Sequence, residues 1–149
     1  MNEKNDEELL AEMIGRYKHE FALYRMQYMI IGRLLDKKYI NDLSEKYPDE
    51  IVYVYGDNYL GLQTYIALKE KYDDIRIVCY GGGERWGENA DVIEEATELS
   101  VEEFIQGYED GLVLISILDE GEDLREQLIR SINSKKIFFV NELVSGSLL

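Results

Sequence analysis

The stretch that most constrains this chain runs from Glu50 to Lys71, EIVYVYGDNYLGLQTYIALKEK. Ile51-Val52-Tyr53-Val54-Tyr55 is an unbroken run of β-branched and aromatic residues, the composition of a strand covered on both faces. Gly56 and Gly61 bound a tight turn, and Leu62, Tyr65, Ile66 and Leu68 follow at helical spacing. Strand, glycine turn and helix in that order open a doubly wound α/β domain. Ligands of such domains sit outside the carboxyl end of the first strand, on the first turn of the next helix. The functional question is whether Gly56-Asp57-Asn58-Tyr59-Leu60-Gly61 can cradle a phosphate.

Downstream, the pattern repeats. Ile75-Arg76-Ile77-Val78-Cys79-Tyr80 reads as a second strand, ending in Gly81-Gly82-Gly83. A short third strand is expected over 90–95. Ser100-Val101-Glu102-Glu103 is a capping-box sequence, which starts a helix presenting Phe104, Ile105 and Tyr108. Leu112 to Ile117 is a continuous apolar run, the fourth strand. Asp119 or Glu120 leads a helix with Leu124, Leu128, Ile129 and Ile132 on one side, and Ile137 to Val140 form the fifth strand. With right-handed crossovers this gives a Rossmann-like, five-stranded, mostly parallel sheet of order 3-2-1-4-5 with helices on both faces.

Upstream, residues 7–46 read as helix, either one long rod or a helical hairpin. Leu10, Ile14, Tyr17, Phe21, Tyr24, Tyr28, Ile31 and Leu35 follow a 4-3-4-3 spacing, and Met13, Ile30 and Leu34 widen the stripe. A stripe of that length must be buried on something, since apolar patches of that size are rare on monomers. The expectation is a homodimer through residues 10–35, the other candidate being the flank of the α/β domain. Gly15 and Gly32 each cost about 1 kcal/mol against alanine in a helix interior, so a break is allowed there. Pro48 stops the helix. The organisation expected is an N-terminal helical segment for oligomerisation (1–48), an α/β domain (49–144) and a frayed tail (145–149).

From Ile51 onward the chain resembles the small Rossmann-like domain attached to sugar-nucleotide-modifying and glycosylation proteins, such as the front domains of sugar acyltransferases and dehydratase-epimerases. The stretches that carry the likeness are Val54-Tyr55-Gly56-Asp57-Asn58-Tyr59-Leu60-Gly61, Glu84-Arg85-Trp86-Gly87, Leu99 to Phe104, and Glu122 to Ile132 with Lys136-Ile137. They span about two-thirds of the chain. The resemblance implies a nucleotide, nucleotide sugar or coenzyme A as ligand and a transferase or glycosylation protein as partner. From their place at the crevice outside the strand ends, the binding residues expected are Gly56, Asp57, Asn58, Tyr59 and Gly61 on the first turn, Gly81 and Gly82 after the second strand, and Ser116 after the fourth.

Two departures weaken that cradle. Position 58, where the fingerprint has its second glycine, is Asn, and a side chain there crowds the approach of a pyrophosphate. After the second strand there is no acid to hold a ribose hydroxyl, the nearest being Glu84. Asp57 adds a negative charge inside the turn. Two unit charges 4 Å apart near a protein surface interact by about 4 kcal/mol, enough to offset much of the attraction a helix N-terminus offers a phosphate. A Rossmann-like module without ligand, acting as an oligomerisation or protein-interaction unit, is therefore the alternative reading. A small NAD(P)-dependent enzyme is a third.

Charge and composition exclude other classes. The net charge is −15, and residues 84–126 hold fifteen acids against Arg85 and Arg125. Such a surface repels a phosphodiester backbone, so no nucleic-acid partner is expected. No apolar run is long enough for a membrane span and no signal-peptide pattern occurs, so the expected location is cytoplasmic. With His19 as the sole histidine and Cys79 as the sole cysteine, in a strand, neither a metal site nor a catalytic constellation is expected.

Overall fold

A computed structural model describes residues 3–79, 96–118 and 121–145. Its elements in order are α1 (Glu3–Leu34), α2 (Lys37–Lys46), β1 (Val52–Tyr55), α3 (Tyr59–Leu68), β2 (Ile75–Cys79), β3 (Thr97–Ser100), α4 (Val101–Gly107), β4 (Leu112–Ile115), α5 (Gly121–Ile132), β5 (Ile137–Phe139) and α6 (Val140–Ser145). The five strands form one sheet of order β3-β2-β1-β4-β5, parallel at every pairing. The expected Rossmann-like architecture and strand order are thus present, preceded by the expected long helix.

Side-chain alternation along β1 explains why this strand had to be apolar throughout. Val52 and Val54 point to one face of the sheet, into a core with Ile77, Leu112 and Leu114 that α1, α2, α3 and α6 cover. Tyr53 and Tyr55 point to the other, into a core with Val113, Ile115, Phe104 of α4 and Leu124 and Leu128 of α5. The second core is aromatic: the Tyr53 and Phe104 rings lie 5.1 Å apart, with Tyr55 and Tyr108 close by. The Tyr53 hydroxyl does not go to waste in the interior, since it accepts the Glu109 amide at 3.2 Å. α4 starts as its sequence predicts: the Ser100 hydroxyl accepts from the Glu103 amide while the Glu103 carboxylate accepts from the Ser100 amide, both at 3.1 Å.

Besides strand ends one or two residues shorter than expected at Ile51 and Ser116-Ile117, three boundaries differ from the sequence reading. The third strand lies at Thr97–Ser100, directly before α4, whereas residues 90–95 fall outside the described residues. Its polar Thr97 and Glu98 suit a short edge strand, and period-2 apolarity was therefore too weak to find it. Secondly, the N-terminal helix breaks at Leu35-Asp36, where the Asp36 carboxylate accepts the Lys38 amide and caps α2. The break lets Ile30 and Leu34 of α1 and Ile40 and Leu43 of α2 all enter one core. Thirdly, Val140 starts a last helical turn whose Val140, Leu143 and Val144 are buried.

α1 is divided along its length. Ile30 and Leu34 are buried and Ile31 packs against the core. Before them Leu10, Ile14, Tyr17, Phe21, Tyr24 and Tyr28 are all large, apolar and exposed, Tyr17 by 70%. Among the described residues no helix is long and apolar enough to cross a membrane.

Candidate functional site

In a parallel sheet of this order the switch point lies between β1 and β4, where connections leave in opposite directions and a crevice forms outside the carboxyl ends. The structure brings Gly56, Asp57, Asn58, Tyr59 and Gly61 to that point from β1 and Ser116 from β4. Gly81 and Gly82, the other expected ligand residues, lie outside the described residues, as do Glu84 to Gly87.

The two glycines are accounted for by packing. Gly56 has φ +128, a conformation unfavourable for a residue with a Cβ, and its amide donates to Val78 O at 3.0 Å. A Cβ on Gly61 would stand 2.1 Å from Gly56 O and 3.0 Å from Ser116 Oγ. The first turn of α3 therefore lies directly on the end of β1, the close helix–strand approach that the last glycine of the fingerprint permits.

Asn58 occupies the crevice from within. It caps α3, its Oδ1 accepting the Gly61 amide at 2.8 Å, and its Nδ2 donates to Ser116 O at 3.0 Å across the switch point. The Ser116 hydroxyl lies 3.0 Å from Asn58 Oδ1 and 3.2 Å from both Tyr55 O and Gly56 O, so its single proton is spent within the corner. A pyrophosphate seated here would have to displace the Asn58 carboxamide from the amide it caps. Asp57 beside it is nine-tenths buried, keeping a carboxylate where a phosphate would approach.

The cation that the helix after β4 brings toward the carboxyl edge is Arg125, one turn into α5. It is paired with Glu142 of α6 and lies 3.3 Å from Glu122, and its guanidinium sits 4.6 Å from the centre of the Phe139 ring. Sequence gives no hint of this pairing, because the partners sit on separate helices 17 residues apart.

Tyr59, the first residue of α3, is 43% exposed. It neighbours α1: the Tyr28 phenol is pushed above its ordinary pKa mainly by its hydrogen bond with Tyr24, and in smaller part by Tyr59. Further along, Leu34 of α1 shares a cleft with Ile66 and Ala67 of α3. Thus α1 runs beside α3 in the same direction, and its exposed part projects past the carboxyl edge of the sheet.

His19 lies on this projecting part, and among the described residues no group of three His, Cys, Asp or Glu side chains is placed to hold a metal ion. The fold and corner define a Rossmann-like α/β unit with its switch point filled by its own side chains. No family model, curated protein or solved structure matches the chain.

Proposed function

We propose that this chain is a non-catalytic, cytoplasmic assembly module: a Rossmann-like body that carries α1 as its contact element and associates with another copy through residues 10–28. The observation that carries this reading is the row of six large apolar side chains from Leu10 to Tyr28, exposed by 47% to 70% on a helix anchored at its other end. Rows of that length on soluble chains mark interaction surfaces. The Asn58–Ser116 network supports the same reading from the other side, because it uses the groups a ligand would need. Sedimentation of the wild type at micromolar concentration, beside Phe21→Glu/Tyr24→Glu, tests it. The wild type is expected to be dimeric and the variant monomeric with unchanged circular dichroism. A monomeric wild type at high micromolar concentration removes the proposal. Ile31 is unsuitable for this substitution, since it packs on the core.

A second reading rests on Tyr59, an exposed aromatic on the first turn of α3 at the edge where Rossmann-like folds bind ligands. On that reading the chain binds a nucleotide, nucleotide sugar or coenzyme A and serves a transferase of glycosylation chemistry. A ligand present at about 100 times its dissociation constant stabilises a fold by about 2.7 kcal/mol. The measurement is a melting-temperature screen of those ligands on wild type and Asn58→Gly, which opens the crevice. Unchanged melting in both rejects this second reading.

A further inference from the structure

We propose that two copies pair through α1 in antiparallel orientation, each acidic tip lying against the basic end of the other; this rests on the self-association reading above. The seam itself allows it. Leu10, Ile14, Tyr17, Phe21, Tyr24 and Tyr28 are spaced 4-3-4-3-4, which reads the same in both directions. Reversing one helix therefore keeps every layer, with Leu10 opposite Tyr28, Ile14 opposite Tyr24 and Tyr17 opposite Phe21. Large then meets smaller in the outer layers, as close packing requires. A parallel pair would instead set three tyrosines against their own copies, hydroxyl beside hydroxyl.

Charge decides the direction. Residues 5–12 carry Asp6, Glu7, Glu8 and Glu12 with no base, whereas 13–38 carry Arg16, Lys18, Arg25, Arg33, Lys37 and Lys38 against Glu20 and Asp36. Parallel pairing lays four acids beside four acids. Its one compensation, Glu20 reaching Arg25 of the other copy, is an exposed ion pair that shifts an equilibrium by about fivefold at most. Antiparallel pairing places acids beside bases at both ends. Aromatic side chains carry about 150–250 Å² each, so the seam offers on the order of 700 Å² per copy, near the ~800 Å² per partner of a stable interface.

Disulfide cross-linking tests this. In a Cys79→Ser background, Leu10→Cys and Tyr28→Cys change exposed side chains on α1. Under mild oxidation, mixing the two variants is expected to give a cross-linked dimer, while neither variant alone does. Cross-linking of Leu10→Cys with itself overturns the orientation, as does a sedimenting dimer that gives no cross-link in the mixture. A wild type that never dimerises removes the assembly reading as well, whereas a parallel dimer removes the orientation and leaves that reading standing.

Discussion

The glycine corner and the outer part of α1 treat their sequence signals in opposite ways. At the corner, three features that suggest a ligand are consumed internally: Gly61 by contact with the end of β1, Asn58 by the cap and Ser116, and the Ser116 hydroxyl by the turn. On α1 a feature equally strong in sequence, the apolar seam, is left in solvent from Leu10 to Tyr28. A motif that closes on itself stabilises the fold and has little left for a partner. A motif that stays open contributes little to the fold and is available for one.

The largest test of this contrast compares two glycines. Gly61→Ala forces a Cβ against a backbone carbonyl at 2.1 Å, so the helix must shift, and a loss of about 3 kcal/mol or more is expected in chemical denaturation. A loss under about 1 kcal/mol would show that the corner is loosely packed and could admit a ligand.

The tyrosines repeat the contrast. Tyr72, at the end of the α3–β2 turn, is 4% exposed, and its hydroxyl donates to Tyr47 O at 2.8 Å. Burial first, and the charge of Glu50 second, push its phenol up to about 12. Because the folded value lies above the unfolded value of about 10, this group's contribution is complete below pH 10 and is lost as pH rises toward 12. The decline should amount to about 2–3 kcal/mol. Tyr72→Phe should flatten it, and a base-induced unfolding curve that is the same with and without the hydroxyl would contradict the assignment.

Asn58→Ala removes both the α3 cap and the bond to Ser116 O, and a cost of about 1–2 kcal/mol is expected from thermal unfolding. An unaffected melting temperature would mean that the corner network stabilises nothing. The smallest effect has the opposite sign. Nothing lies within 4 Å of a Cβ placed on Gly15, so Gly15→Ala should stabilise α1 by up to about 1 kcal/mol, visible as added helical ellipticity. Destabilisation there would mean that the helix is more crowded in solution than in the isolated chain.

Much of the body was legible residue by residue. The continuous apolar runs at Ile51–Tyr55 and Leu112–Ile117 announced strands covered on both faces, and Ser100 with Glu103 announced the start of α4. The edge strand Thr97–Ser100 was hidden because an exposed strand needs no apolar period. α6 was hidden because six residues are too few to show one. At the site, sequence named Asn58 as one of two departures from the fingerprint and read it as a crowded cradle. It could not show that Asn58 bonds to Ser116, because those two residues are 58 apart in the chain and meet only when β1 and β4 pair.

The amino-acid order by itself determined which faces had to be covered, since the period of apolar residues follows directly from the geometry of helix and strand. It also determined where the first turn had to be tight, since Gly56 tolerates a φ closed to other residues. Tertiary structure alone decided what covers each face. The same apolar stripe supplies Ile30 and Leu34 to the core and leaves Tyr17 and Phe21 in water, because the body is shorter than the helix beside it.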